Sequence, residues 1–207
     1  MSKIAIIGSG NLGGALAKKW IKAGHTVIVG ARFPLSEKNI KLATEIGEDR
    51  FTSVEHAVIQ CDIILISAPA TVAVEVVQSL GDTTGKVIID SMNIVMGRGR
   101  QGYTNTTDAI LNHTQTKDVV KCFNTTGANN MENPNYGDTS LDLFVAGDSE
   151  VGRQAAMELA KDAGFASCYS IGGNDKFELM EQFAWFWINL AMFQGQGREM
   201  GFKLMKR

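Results

Sequence analysis

Three glycines near the start of the chain have the spacing of a phosphate-binding turn. They follow an apolar run over residues 3–7 and fit the pattern G-x-G-x-x-G. In that pattern the first glycine makes a tight turn, the second lets a pyrophosphate approach the backbone, and the third lets the next helix pack closely on the strand. Free N–H groups at the start of that helix then bind the pyrophosphate. The predicted site residues are Gly8, Ser9, Gly10, Asn11, Leu12 and Gly13. A glycine-rich turn without a ligand is the alternative.

The residues at the end of the second predicted strand bear on the choice between NAD and NADP. An NAD-selective site carries Asp or Glu there to hold the ribose 2′-hydroxyl, whereas this chain has Ala31 followed by Arg32. A small residue leaves room for a 2′-phosphate, and a guanidinium offers that phosphate a planar fork of donors. Lys38, in the next predicted helix, could assist. The pattern favours NADP(H), and a solvated surface Arg32 is the alternative.

Small and polar residues also follow three further predicted strands. Ligands of an open parallel sheet bind across the carboxyl ends of its strands, so these residues are candidates for the rest of the cofactor site. They are Ala68 and Pro69 after one strand, Asn93 after the next, and Asn124, Thr125, Thr126 and Ala128 after a third. Ordinary turns use the same residue types, and that alternative stays open for each residue taken alone.

The elements that must position these residues alternate along the chain. Short apolar runs predict strands over residues 3–7, 25–29, 61–67, 86–90, 118–123, 141–146 and 166–171. Amphipathic stretches predict helices over 11–23, 35–46, 53–60, 71–80, 104–113 and 150–163, and a long helix over 175–194 with Asn174 or Asp175 as its N-cap. This alternation is typical of a doubly wound, mostly parallel Rossmann sheet of the α/β class. We expect an NADP-binding domain over 1–171 and a helical appendage over 172–207 packed on it.

Composition excludes several classes of function. The 207 residues include 20 Lys and Arg against 22 Asp and Glu, and a net charge of −2 offers no basic stripe for nucleic acid. The longest aromatic-rich stretch is too short for a membrane span. Cys61, Cys122 and Cys168 lie far apart in the sequence without the spacing of a zinc site, and their odd number favours a reducing compartment. We therefore expect a soluble, cytoplasmic protein without a metal site.

No set of residues indicates acid–base or nucleophilic catalysis. His25, His56 and His113 fit structural, surface or capping positions, and Asp90 ends a buried strand with no partner visible in the sequence. When cofactors carry the reacting atoms, orientation and exclusion of water contribute most. We predict no catalytic side chain.

Two further features could serve a redox acceptor. Arg98 and Arg100 stand in a glycine-rich loop that could form a lid or could be solvated and functionless. The last predicted helix carries Trp185, Phe186 and Trp187 in succession, and a single packing surface does not bury all three. Either a partner subunit covers the remainder, or the aromatic side chains wall the acceptor pocket, and packing in the core alone is the third alternative. We favour a homodimer.

Four segments of the sequence resemble one known family. They are IAIIGSGNLGGALAKKW at the start, VIVGAR, VVKCFNTTGANNM, and the tail from FAWFWINLA through GREMGFKLMKR. Over nearly its whole length the chain is similar to the NADP oxidoreductases that use the deazaflavin coenzyme F420, in particular to their bacterial relatives. More distantly, VIVGAR, DSMN and KCFNT resemble the NADPH-binding domain of the six-transmembrane (STEAP) metalloreductases.

The resemblance implies hydride transfer between the nicotinamide of NADPH and a flavin-like or deazaflavin ring. It implies that residues 8–13 hold the pyrophosphate, that Ala31 and Arg32 hold the 2′-phosphate, and that the loop over 124–128 lies against the nicotinamide. Archaeal members carry His and Pro where this chain has Asn124 and Gly127, so the shape of their acceptor pocket does not carry over.

Two other functions stay open. One is a redox-sensing module that binds NADP(H) without turnover. The other is a small imine or hydroxy-acid reductase. Such reductases usually carry a larger helical substrate domain, and here only residues 172–207 follow the last predicted strand.

Overall fold

The computed structural model describes residues 1–34 and 36–207, without the side chain of Lys38. Its strands are β1 (Lys3–Ile7), β2 (Thr26–Gly30), β3 (Phe51–Thr52), β4 (Ile63–Ile66), β5 (Val87–Asp90), β6 (Val119–Cys122), β7 (Asn135–Tyr136), β8 (Thr139–Ser140), β9 (Asp142–Ala146) and β10 (Ser167–Ser170). Its α-helices are α1 (Asn11–Lys22), α2 (Glu37–Ile46), α3 (Val54–Gln60), α4 (Ala73–Gln78), α5 (Thr106–His113), α6 (Ala128–Glu132), α7 (Glu150–Asp162) and α8 (Phe177–Ile188).

Within the described residues, the main sheet has eight strands in the order β3-β2-β1-β4-β5-β6-β9-β10. All neighbouring pairs are parallel except β6 and β9, which run antiparallel. The chain winds outward from β1 to β3 on one side and then from β4 on the other, so the strand order reverses between β1 and β4. Ligands of such sheets bind at this switch point. The Rossmann-type α/β fold predicted from the sequence is confirmed.

The strands are apolar on both faces because helices cover both faces of the sheet. In β1, Ile4 and Ile6 belong to the core that contains α1 and α7, whereas Ala5 and Ile7 face the core beneath α3, α4 and α5. All four side chains are buried. A strand of this kind has a fixed register, since a slip of one residue would exchange the two faces.

Helix α1 is anchored through the C-terminal half of its buried face. Leu16 and Trp20, four residues apart, are fully buried. The Trp20 indole Nε1 donates to the Leu159 carbonyl of α7 at 2.9 Å, and its ring meets Phe123 edge-on with centroids 5.6 Å apart. The C-terminal half of α1 is therefore held in place by packing that does not involve the phosphate-binding turn.

The differences from expectation lie mainly at element ends. The helix predicted over 35–46 begins at Glu37, and the stretch predicted as one helix over 175–194 is α8 followed by a π-helical turn at Asn189–Phe193. The predicted N-cap is wrong: a 3₁₀ turn precedes α8, and the Asn174 side chain accepts the Asp148 N–H at 2.9 Å instead. The sequence pattern does not predict β3, β7, β8 or α6, because two to five residues are too few to display a period.

The C-terminal segment packs along the sheet. The Phe202 carbonyl accepts the Asp142 N–H at 3.1 Å, and the Leu204 N–H donates to the Asp142 carboxylate at 2.9 Å. A Cβ at Gly201 would lie 2.2 Å from Leu141 Cδ1, so the tail backbone lies directly against that side chain. The division into units at residue 171 stays a prediction. None of the helices in the described part of the chain combines the length and the apolar character that crossing a membrane requires.

Candidate functional site

The fold itself requires two of the three glycines in the turn after β1. Gly8 has φ +115°, and a Cβ there would lie 2.2 Å from the Ser67 carbonyl oxygen. A Cβ at Gly13 would lie 2.1 Å from the Gly8 carbonyl oxygen. Both distances are shorter than any van der Waals contact, so a side chain at either position would push α1 away from the ends of β1 and β4.

Gly10 is different, because the fold places nothing against it. Its φ of −70° suits any residue, and a Cβ there would meet no atom within 4 Å. It caps α1, which has no side-chain cap and no acidic residue in its first turn. The first intrahelical bond runs from the Gly14 N–H to the Gly10 carbonyl, so the N–H groups before it are free to bind an anion. An open surface at these donors fits a pyrophosphate.

A cleft of about 860 Å³ opens above this turn. It runs along the carboxyl ends of β2, β1 and β4, at the point where the strand order reverses. The predicted site residues that line it are Gly8, Ser9, Gly10, Asn11, Leu12, Ala31, Arg32, Ala68 and Pro69. Gly13 lies beneath the turn and supports it.

The β2 side of the cleft carries the predicted phosphate-binding arginine. Arg32 is exposed, and the Ala31 N–H bonds the Thr52 carbonyl of β3 at 3.0 Å. The buried Asn39 of α2 accepts the Ser9 hydroxyl and donates to the Phe33 carbonyl at 2.8 Å, which ties the phosphate turn to the loop that carries Arg32. No sequence signal identifies this role of Asn39. The Lys38 side chain, also predicted here, lies outside the described residues.

The opposite wall of the cleft includes Glu75 of α4. The Gln101 side chain donates to its carboxylate at 2.9 Å, and this bond, aided by the charge of Arg32, lowers the pKa of Glu75. Gln101 also accepts the Val74 N–H at 3.1 Å, so the glycine-rich loop is docked on the start of α4. Arg98 and Arg100 of that loop are exposed and, in the described structure, line neither the cleft nor the cavity described below.

The predicted residues after β5 and β6 form a second group. Asn93 and Asn124 bond reciprocally, since Asn124 Nδ2 donates to Asn93 Oδ1 at 2.9 Å and Asn93 Nδ2 donates to the Asn124 carbonyl at 3.0 Å. The other Asn124 amide hydrogen reaches the Met180 carbonyl of α8 at 3.2 Å. Asn124 Oδ1 is buried and has no partner among the described residues. Thr125 is buried beside it, and the Thr126 hydroxyl accepts from Asn130.

A buried ionic cluster lies directly behind this pair, formed by Asp90 of β5, Lys121 of β6 and Glu181 of α8. The Lys121 ammonium lies 2.8 Å from Asp90 Oδ2 and 2.9 Å from Glu181 Oε1, and all three side chains are almost wholly buried. Burial disfavours the charged amine, but the two carboxylates outweigh it and raise the pKa of Lys121. The sequence shows no partner for Asp90, and the structure corrects that reading, because the partner lies 31 residues away on the next strand.

A second cavity, of about 480 Å³, adjoins the cleft and shares Ser9, Gly10 and Asn11 with it. It lies between α1, α2 and α6, and Ala128 and Arg198 contribute to its wall. Lys18 bridges Glu45 and Glu132 at 3.1 and 3.3 Å across this cavity. Ala128 thus lines this cavity and not the cleft.

The histidines occupy structural positions. The His25 ring accepts the Ser2 N–H and bonds Asp162 at 3.0 Å, and His113 bonds the Tyr103 hydroxyl at 3.0 Å. His56 lies in α3, and its backbone N–H donates to the N-cap Ser53. None of the three lines the cleft or the adjoining cavity in the described structure.

The cysteines are less separated in space than in sequence. Cys122 Sγ and Cys168 Sγ lie 3.8 Å apart. Burial raises the pKa of the Cys122 thiol, and it raises that of Cys61 to about 11, so neither is a ready thiolate.

We expect Gly10→Ala to preserve the fold and to weaken nucleotide binding. Because the fold leaves the Cβ direction empty, the free energy of unfolding should change by no more than about 0.5 kcal/mol. A methyl group in the cleft should lower NADPH affinity by more than about tenfold, because it blocks the pyrophosphate. Gly13→Ala is the matched control and should destabilise the protein by about 1–3 kcal/mol. Urea unfolding and NADPH titration measure both effects, and full NADPH affinity in Gly10→Ala would contradict this role of the turn.

Comparisons with known proteins agree with this geometry. Residues 3–94 match the sequence model of a family described as NADP oxidoreductase, coenzyme F420-dependent. A candidate F420-dependent NADP reductase from Arthrobacter sp. FB24 is similar in structure over 100% of both chains, with a TM-score of 0.84 and 20% sequence identity. A hypothetical protein from Sinorhizobium meliloti matches 84% of this chain and 86% of its own, with a TM-score of 0.72 and 24% identity.

A larger relative has the same sheet. A reductive aminase from Aspergillus terreus, solved in complex with NADPH and ethyl levulinate, matches 94% of this chain and 63% of its own, with a TM-score of 0.65 and 17% identity. At these identities the structural likenesses show the fold alone. The match over residues 3–94 makes this part of the chain similar to the coenzyme F420-dependent NADP oxidoreductase family, and the solved structures add the fold.

Proposed function

We propose that the protein transfers a hydride between NADP(H) and a flavin-like or deazaflavin acceptor. The observation that carries the proposal is the open surface at Gly10. The fold forbids a side chain at Gly8 and Gly13 but leaves Gly10 free, above unpaired helix N–H groups. A ligand that presses on the backbone at this point accounts for a glycine that the fold does not need.

The cleft has suitable groups for the nucleotide half of NADPH. The start of α1 would bind the pyrophosphate, and Arg32 and the start of α2 would face the 2′-phosphate. Ala31 adds no carboxylate to compete with that phosphate. Asn39 would keep Ser9 and the Arg32 loop in a fixed relation, since it bonds both. The strand ends at Ala68, Pro69, Asn93 and Asn124 would accommodate the nicotinamide half.

NADP(H) itself supplies the reacting hydride, which leaves the dihydronicotinamide with two electrons and enters the acceptor ring. The protein's contribution is then to orient two flat rings and to exclude water. The reciprocal Asn93–Asn124 pair suits that role, because each side chain fixes the other. No side-chain acid or base is required, which agrees with the structural positions of the histidines.

The acceptor ring has to lie against the nicotinamide, so we place it beside the loop over residues 124–128. Arg198 lies close to the end of this loop, because Asn129 Nδ2 donates to its carbonyl at 2.8 Å, and its guanidinium would suit an anionic acceptor. Arg98 and Arg100 are less suited, since their loop is docked on α4 and neither side chain lines a cavity described here. A redox sensor that binds NADP(H) without turnover would use the same cleft. The assay with a panel of acceptors, described below, distinguishes it from the proposed enzyme.

Arg32→Ser should weaken NADPH binding by about 10- to 100-fold and leave NADH binding nearly unchanged. The change removes charge-assisted hydrogen bonds to the 2′-phosphate, each worth about 1.5–3 kcal/mol. It also leaves the Glu75 carboxylate unopposed on the facing wall. Titration of both nucleotides by intrinsic fluorescence or calorimetry measures the effect.

Arg98→Ser is the control for Arg32→Ser, since it removes the same charge from an exposed arginine outside the cleft. It should alter neither affinity. Equal affinity of the unmodified protein for NADH and NADPH, or unchanged NADPH affinity in Arg32→Ser, would show that Arg32 does not select the cofactor.

A panel of acceptors separates an enzyme from a sensor. The protein is mixed with NADPH and, in separate reactions, with FMN, FAD, the deazaflavin and ferric chelates, while absorbance of the reduced nicotinamide is followed. We expect acceptor-dependent loss of that absorbance with a flavin or the deazaflavin. Loss with none of the panel, in a protein that binds NADPH, would favour the sensor.

We also propose a homodimer that works in the cytoplasm. Trp187 is buried against Gly127, but Phe186 and Phe193 are 50% and 59% exposed. Apolar surface of this kind is typical of a subunit interface. Light scattering at micromolar concentration should give the mass of two chains, and a monomer would count against the dimer. The cytoplasmic location follows from the odd number of cysteines.

A further inference from the structure

The buried Asp90–Lys121–Glu181 cluster carries an uncompensated charge. The Asp90 carboxylate accepts the Met92 N–H, the Thr106 and Thr107 hydroxyls and the Lys121 ammonium, at 2.6–2.8 Å. The Glu181 carboxylate accepts the Ile94 and Thr106 N–H groups and the same ammonium, each at 2.9 Å. Donors surround both carboxylates, an environment that suits the ionised form. Two carboxylates and one ammonium leave a net charge of −1.

This charge lies at one end of the candidate site and not at its centre. Its partners Met92 and Ile94 are the two neighbours of Asn93, and Lys121 also donates to the Met92 carbonyl at 2.9 Å. The cluster therefore lies behind the strand ends of β5 and β6, on the side of the switch point away from β2 and Arg32. Because all three side chains are almost wholly buried, salt in solution screens the charge little.

We infer that this cluster makes the site favour the oxidised nicotinamide over the reduced one, so that NADPH bound to the protein is a stronger hydride donor than NADPH free in solution. The inference rests on the proposed function, which puts the nicotinamide half at these strand ends. The ring of NADP⁺ carries a positive charge that the ring of NADPH lacks. A fixed negative charge nearby stabilises the first and leaves the second almost unaffected. A hydride leaving NADPH would pass with its two electrons to the flavin-like acceptor, and the ring left behind would be the better bound form.

Glu181→Gln tests the inference, because it removes one unit of charge with almost no change of shape. We expect the ratio of the NADP⁺ to the NADPH dissociation constant to rise by about threefold or more. A distorted Asn93 loop would weaken the binding of NADP⁺ and NADPH by a similar factor, and that factor cancels in the ratio of the dissociation constants. An unchanged ratio in a folded Glu181→Gln protein would overturn the inference.

Thr107→Val is the matched control. It removes a hydrogen bond to Asp90 and keeps the net charge, so it should lower the melting temperature and leave the ratio unchanged. An equal rise of the ratio in Thr107→Val would mean that packing, and not charge, sets the preference. Asp90→Asn removes the same unit of charge from the other carboxylate and replaces Glu181→Gln if that variant does not fold.

The unmodified protein offers a measurement that needs no variant. It should bind NADP⁺ at least as tightly as NADPH at physiological salt, and a preference for NADPH of about tenfold or more would overturn the inference. Failure of the proposed function looks different: either neither nucleotide binds and no ratio can be formed, or both bind and no acceptor of the panel oxidises NADPH.

Discussion

The close approach of the Gly13 backbone to the Gly8 carbonyl fixes where the start of α1 lies relative to the end of β1, and so shapes the cleft above the glycine turn. With only 2.1 Å between that oxygen and the place where a Cβ would stand, α1 lies as near to β1 as a backbone can. The same turn touches the Ser67 carbonyl through Gly8, so the ends of β1, β4 and α1 meet at one point. Trp20 holds the far end of α1 against α7. The free N–H groups of α1 are therefore aimed into the cleft by contacts that need no ligand.

Whether a feature of the fold or of the site can be predicted from the sequence depends on how far apart in the sequence the contacting residues lie. The glycine turn and the alternation of strands and helices are local patterns, and they predict the fold and the cleft-lining residues from Gly8 to Pro69. Asn39 bonds Ser9 across 30 residues, and Glu181 bonds Ile94 across 87. Such pairs leave no period or motif in a single sequence. Asp90 is an example: the sequence pattern predicts the buried strand that it ends, but it does not predict the ion pair with Lys121, 31 residues away.

Residues 172–207 contribute more to the site than a covering helix would. Met180 and Glu181, adjacent in α8, bond Asn124 and the Asn93 loop respectively. Trp187 packs on Gly127 and donates to the Met200 carbonyl at 2.9 Å, which fixes the tail against the loop after β6. The strand ends at the proposed nicotinamide half are thus braced by the C-terminal segment.

The distribution of charge along the site follows from the same arrangement. Arg32 stands at the end of β2, and the net negative cluster lies behind β5 and β6, with the neutral phosphate turn between them. NADP⁺ carries charges of the opposite sign at the matching positions. Its 2′-phosphate is negative at one end, and its oxidised ring is positive at the other. With a net charge of only −2 on the chain, long-range attraction contributes little. In the proposed complex, recognition of the nucleotide would then depend on two local charges on opposite sides of the switch point, and of these only Arg32 can be recognised from the sequence.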